Sequence, residues 1–428
     1  MRVRMFRVGF GDFFLLSVTT TRGQSHILID CGVHAKDLGS IREAVTQMAQ
    51  DCNNKLSLVI MTHRHADHIS GFGTCSDIFG NIEVGRVWMP WFEDTSIDEA
   101  KHFQASLVAL ANHVGSGFRA RLAAGPSEVT TQLLSMAENI TGGMSAAGGS
   151  ANEKALRVLQ SGFKNTPAHD YLKAGDHATL PPELIDAGLT AQILGPPIDT
   201  SLVEQMTNKT QQYLSGASEE DQDDDDKPLP FAEAFRASYG AYPSRAFEIY
   251  DADEIVRMVD SSQPDMLAAQ AVAADKTLNN QSLVILFSVD GKNLLFAGDA
   301  QWGNWENFLY GGAYGTPGHT TMTNAAKTIL DKIDFYKVGH HGSANATPKD
   351  AVQAMRMGCA GMCSTQEHAY NQVPRVPLLA ALGQRMGNKL ARSDQVALSS
   401  EIPANPDAGS LPSAFSAPTH RLFIDYNI

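Results

Sequence analysis

His63-Arg64-His65-Ala66-Asp67-His68 follows directly on the apolar run Leu56-Ser57-Leu58-Val59-Ile60-Met61 and Thr62. The apolar run reads as a buried strand. A strand that ends in three imidazoles and a carboxylate presents metal-capable groups at a sheet edge. Imidazole suits zinc, iron and related ions, and a carboxylate adds a harder oxygen donor. In an extended segment, residues two apart point to the same side. His63 and His65 can therefore reach one ion. A turn at Ala66 would then redirect Asp67 and His68.

Two further stretches repeat this arrangement. Phe296-Ala297-Gly298-Asp299 ends the second strand of an expected hairpin, Ser282 to Val289 and Asn293 to Ala297, around the turn Asp290-Gly291. Val338-Gly339-His340-His341-Gly342-Ser343 ends another strand. Glycine beside each lets the backbone approach a ligand without a Cβ clash. Ligands in open α/β sheets converge at strand ends. Asp30, at the end of His26-Ile27-Leu28-Ile29, is a natural partner for the outer N–H of a ligating histidine.

The rest of the chain divides by pattern. Strand signals dominate up to about residue 90 and return at 189–197 and 279–390. Between them lie two expected insertions. One, about 98–180, is helical: Phe103, Leu107, Leu110 and Val114 draw one apolar stripe. The other, about 200–277, carries the acidic run from Glu219 to Asp226, which reads as a solvated loop flanked by helices. The expected architecture is α/β, a single domain over 1–428 with these insertions.

Composition narrows the function. With 47 acidic against 33 basic residues, the net charge is −14. This disfavours long nucleic acid, whose binders carry basic surfaces. The five cysteines are odd in number, widely spaced and without a C-x-x-C, so no disulfide framework is expected. Phe13 to Leu16 is too short for a signal-peptide core, and no stretch is long enough to span a bilayer. We expect a cytoplasmic protein with no membrane attachment.

Taken together, the H-x-H-x-D-H stretch, "LIDCG" at 28–32, "FAGDA" at 296–300 and "VGHHGS" at 338–343 resemble the metallo-β-lactamase-fold hydrolases. "GFGDFFLL" at 9–16 and "NNQSLVILF" at 279–287 are similar to one branch of them, the hydrolase domain of DNA-uptake competence proteins. The resemblance implies a four-layer αββα sandwich with a dinuclear centre at one edge. It implies His63 and His65 on the first metal, Asp67 and His68 on the second, and Asp299 bridging. One of His340 and His341 would complete the second metal. We favour His340, which follows the strand directly, with His341 as the alternative. A third histidine for the first metal has no clean counterpart, His169 and His177 being the nearest in context.

On this resemblance a hydroxide held between the ions would be the nucleophile, oriented by Asp67. The histidine of the 340–341 pair that is not a ligand would assist the leaving group, with Ser343 adding a hydrogen bond. His368, in a loop near the site, would contact substrate. Zinc is favoured on ligand type, with manganese as the alternative because Asp67 and Asp299 make the second position oxygen-rich. The expected activity is phosphodiesterase- or nuclease-like, on a small or short phosphodiester. Lactone, thioester or β-lactam hydrolysis is the alternative. A third reading is a non-catalytic subunit that binds a protein partner through its insertions.

Overall fold

The computed structural model describes residues 1–34, 40–125, 128–141, 151–213, 277–317, 319–367, 369, 373–398, 403–417 and 422–428. The acidic run 219–226 and His368 lie outside the described residues.

Fourteen strands form two mixed sheets among these residues. The larger contains β1 (Arg2–Phe6), β2 (Phe13–Thr20), β3 (Gly23–Cys31), β4 (Lys55–Ile60), β5 (Glu83–Pro90) and β6 (Ala168–Leu172), with β13 (Phe415–Ser416) and β14 (Phe423–Asn427) beside β1. Its order is β13-β14-β1-β2-β3-β4-β5-β6. β1 to β3 pair antiparallel, and β3 to β6 pair parallel. The smaller runs β12 (Leu390–Arg392), β11 (Ala360–Cys363), β10 (Phe335–Lys337), β9 (Lys292–Phe296), β8 (Val284–Val289), β7 (Thr190–Gly195). β8 and β9 are the expected hairpin. Asp290 and Gly291 both take positive φ (51° and 70°), which a two-residue turn between right-twisted strands requires.

Side-chain alternation explains the packing. Along β2, Phe14, Leu16 and Val18 join one apolar cluster, while Phe13 and Leu15 join another. The first cluster holds residues of both sheets: Ile27, Leu58, Ile60 and Trp88 from the larger, Ile285, Phe287, Phe296 and Met362 from the smaller. The second packs α1 (Ile41–Asp51), α2 (Ala66–Thr74) and part of α5 (Ala151–Ser161) on the larger sheet. Between α2 and α5 come α3 (Asp98–Ala124) and α4 (Glu128–Thr141). A third cluster packs α6 (Trp302–Tyr310), α7 (Asn324–Leu330), α8 (Lys349–Ala354) and α9 (Val376–Arg385) on the smaller sheet. Each buried large apolar side chain contributes roughly 1.5–3 kcal/mol relative to exposure. That anchorage holds β4 and β9 in place beneath the polar groups at their ends.

Two details differ from the sequence reading. Ala168–Leu172, placed within the helical insertion, extends the larger sheet as its edge strand, in parallel register with β5. Its alternation is weak because most of its side chains are only partly buried. Ala66 begins helix α2 rather than a bare turn. Among the described residues, no helix is long and apolar enough to cross a membrane. All five cysteines are free and buried.

Candidate metal centre

The ends of β3, β4, β9 and β10 meet at one edge of the two sheets. The larger sheet brings Asp30 and the His63–His68 segment, and the smaller brings Asp299 and the His340-His341 pair. The sheets are tied there by Leu283 N–H, which donates to Thr62 O at 3.0 Å.

Asp67, His68, Asp299 and His341 offer one donor atom each within 4.8 Å of one another, and all four are buried. His341 Nε2 lies 3.0 Å from Asp67 Oδ2 and 3.3 Å from Asp299 Oδ2. His68 Nε2 lies 3.2 Å from Asp299 Oδ2. Beside this group, His63 Nε2 and His65 Nδ1 are 3.0 Å apart, and the rings of His63 and His68 are 4.1 Å apart.

The local fold explains how six residues supply four inward groups. His63 to His65 are the extended lead-in, and α2 starts at Ala66, so Asp67 and His68 sit on its first turn. A helix N-terminus favours a carboxylate there. The loop is clamped from the helical insertion. Asn139 Oδ1 accepts from Asp67 N–H at 3.2 Å, and Asn152 Nδ2 donates to Arg64 O at 2.9 Å. Arg64 itself turns away, into a two-pronged ion pair with Glu93 at 2.8 and 2.6 Å.

Close backbone approach fixes the other side. A Cβ on Gly32 would meet Asp67 C and His68 N at 2.4 Å, so only glycine fits. We expect Gly32→Ala to displace the Asp67–His68 turn. Thermal unfolding should report a loss of roughly 1–3 kcal/mol, the usual range for overpacking.

His341, not His340, supplies the fourth donor. The sequence reading preferred His340 on the assumption of an extended chain after β10. Both histidines instead take positive φ, 41° and 50°, so the backbone doubles back and turns His341 into the cluster. Its Nδ1 donates to Ser364 O at 2.8 Å, which leaves Nε2 facing the carboxylates. His340 stands at the rim. Its Nδ1 lies 2.6 Å from Ser343 Oγ and its Nε2 3.3 Å from Asn279 Nδ2. Ser343 therefore addresses His340.

Asp30 occupies the position expected of it. Its Oδ2 is 2.7 Å from His68 Nδ1, and it also accepts from Thr62 N–H and Oγ1–H at 2.7 and 2.6 Å. It does so with φ at 55°, a strained value for a non-glycine residue. Partners of this kind fix ring orientation, and their removal costs about 10–100-fold in metal affinity. Asp30→Asn should show a loss of that size when zinc binding is titrated against a competing chelator.

His169 and His177 do not join the cluster. His169 Nε2 bonds Leu159 O at 3.0 Å, and His177 is exposed. Asp12 and Lys337 are present but unforeseen. The only trace of Lys337 in the sequence is a lone cation inside an apolar strand.

Electrostatics split the histidines into two kinds. Burial pushes His63 well down and His65 down to about 4, with their histidine neighbours adding to the effect. Burial also opposes charge on His68 and His341, but Asp299 and the other carboxylates outweigh it. They raise His68 well above its usual value and His341 to about 10. Burial disfavours the Asp67 and Asp299 anions, yet the facing histidines hold both carboxyls low.

The donor set fits a divalent metal. Two imidazoles and two carboxylates form one buried cluster, and Asp67 Oδ1 is buried with no hydrogen-bond partner. A buried acceptor left in that state is costly unless a cation or water answers it. Comparison with known proteins finds no family model that matches the chain and no matching curated protein.

Proposed function

We propose that the protein is a metal-dependent hydrolase of the metallo-β-lactamase fold, acting on small or short phosphodiesters through a dinuclear centre. One observation carries this reading: donors from both sheets, Asp67 and His68 with Asp299 and His341, converge in one buried cluster beside the His63–His65 pair. The packing of helices outside each sheet, with a shared core between sheets, supports the αββα reading.

His63 and His65 would hold one ion; Asp67, His68 and His341 would hold the other; Asp299 would bridge. Bound divalent ions would lower the pKa of water from about 15.7 to about 7 and clamp an anionic transition state. Zinc is favoured by the imidazoles and manganese is the alternative. Asp67 orients the attacking water and takes its proton. His340, held at the rim by Ser343 through Nδ1, would act on the leaving group through Nε2 once substrate displaces the Asn279 amide from it. Two nearby cations give no help with extra phosphates. Arg64 is neutralised by Glu93, and Lys337 by Asp12 and Asp299. This supports the reading of a short substrate.

The purified protein should hold close to two ions per chain and hydrolyse bis(p-nitrophenyl) phosphate. A chelator should stop turnover, and zinc or manganese should restore it. Metal-free protein with undiminished turnover would sink the proposal. Cleavage of lactones or thioesters without phosphodiesters would move the substrate class.

A further inference from the structure

Lys337 ends β10 and is 2% exposed. Its Nζ donates to Gly298 O at 3.0 Å, lies 3.4 Å from Asp299 Oδ1, and is in close contact with Asp12 Oδ2. Asp12, 1% exposed, precedes β2. Its Oδ2 is 3.8 Å from His68 Nδ1 and its Oδ1 is 3.7 Å from His341 Nδ1. Its N–H donates to Asp67 O at 2.8 Å.

We infer that Lys337 and Asp12 are positioning residues for the metal centre, an inference that rests on the metal reading above. The two oxygens of Asp299 are sorted by them. Oδ1 faces Lys337 and accepts from His340 N–H at 3.0 Å. Oδ2 is the oxygen nearest His68 Nε2, at 3.2 Å, and His341 Nε2, at 3.3 Å. A carboxylate free to rotate would offer either oxygen or both, and the ion spacing would vary with it. The ammonium removes that freedom, because a compact point charge competes for one oxygen. Asp12 holds the ammonium in place and touches the outer edge of both histidines. The pair thus braces Asp299, His68 and His341, and through its backbone the Asp67 turn. A buried ion pair often adds little net stability, since desolvation offsets its attraction. Its effect belongs with donor geometry.

The test uses the whole protein and cobalt(II), whose visible spectrum follows the number and geometry of its ligands. Lys337→Met keeps the stem and removes the charge. Lys337→Met with Asp12→Asn removes both charges, so no unpaired ion stays buried. Thermal unfolding of metal-free protein checks each fold. We expect both variants to fold, to bind cobalt with an altered spectrum, and to lose kcat roughly 10–100-fold with KM little changed. Lys337→Arg should recover more kcat than Lys337→Met. Wild-type spectra and kcat in the variants would overturn the inference alone, as would a fall in thermal stability with an unchanged spectrum. Loss of the fold in both variants would overturn it too, making the pair a fold determinant. Wild-type protein that takes up no cobalt would overturn the metal reading itself.

Discussion

Asp67→Ala should abolish most turnover of bis(p-nitrophenyl) phosphate on the proposed reading, with kcat falling about 10²–10⁴-fold, the range for a lost general base. The expectation rests on three separate jobs of one side chain. Asp67 Oδ2 faces His341 Nε2 at 3.0 Å, so it belongs to the cluster from both sheets. Its Oδ1 is buried without a hydrogen-bond partner and so can accept a hydrogen bond from the water of the proposed reaction. Its carboxyl is held low despite burial, because His68 and His341 face it, so it is ionised at neutral pH. Alanine removes all three while leaving α2 intact, since alanine is a good helix former. His68→Ala should lose a comparable amount. Steady-state kinetics with metal content measured in parallel would check both. Unchanged turnover in either folded variant would falsify the assignment of the centre.

Zinc uptake by the metal-free protein should release protons and strengthen steeply with pH. His341 is raised to about 10 and His68 is raised well above its usual value, so both are protonated at pH 7 without metal. Their Nε2 protons occupy the positions a metal would take, and both must leave on binding. With two protons displaced, apparent affinity should rise roughly a hundredfold per pH unit between about pH 7 and 9. The metal-free fold should move the other way. The raised pKa values of His68 and His341 contribute stability that is complete below about pH 6.5 and is lost as pH rises towards 10. Asp67 and Asp299, held low, contribute stability that is present above about pH 4 and is lost on acidification. Calorimetry in buffers of different ionisation enthalpy would count the protons. Thermal unfolding across pH would test the opposite trends. A release near zero would mean that the carboxylates do not keep these histidines charged.

Much of the site was legible because strand ends carry its chemistry. The apolar run before His63 announced β4, and Asp290-Gly291 announced the hairpin that delivers Asp299. Asp30 was legible for the same reason, standing at the end of β3 beside β4. The choice between His340 and His341 was not legible. It turns on two successive left-handed residues, and nothing in the pattern of side chains reports a positive φ at a histidine. Lys337 and Asp12 were missed because each is ordinary in its own segment and acquires meaning only from the other. Asn139 and Asn152 were missed because they lie on the helices of an insertion that periodicity marks only as amphipathic.

By itself, the sequence determined that a mixed α/β chain gathers imidazole and carboxylate at the ends of its strands. Short-range physics suffices for that, since burial period and turn chemistry act over a few residues. The tertiary structure decided which donors meet. Asp67 and His341 are separated by 274 positions yet stand 3.0 Å apart, because two sheets pack on a shared core and bring their strand ends to one edge. It also decided the charge of each histidine. Burial alone would keep all four neutral; Asp299 from the second sheet, joined by Asp30 and Asp67 at His68 and by Asp67 and Asp12 at His341, reverses the sign for those two.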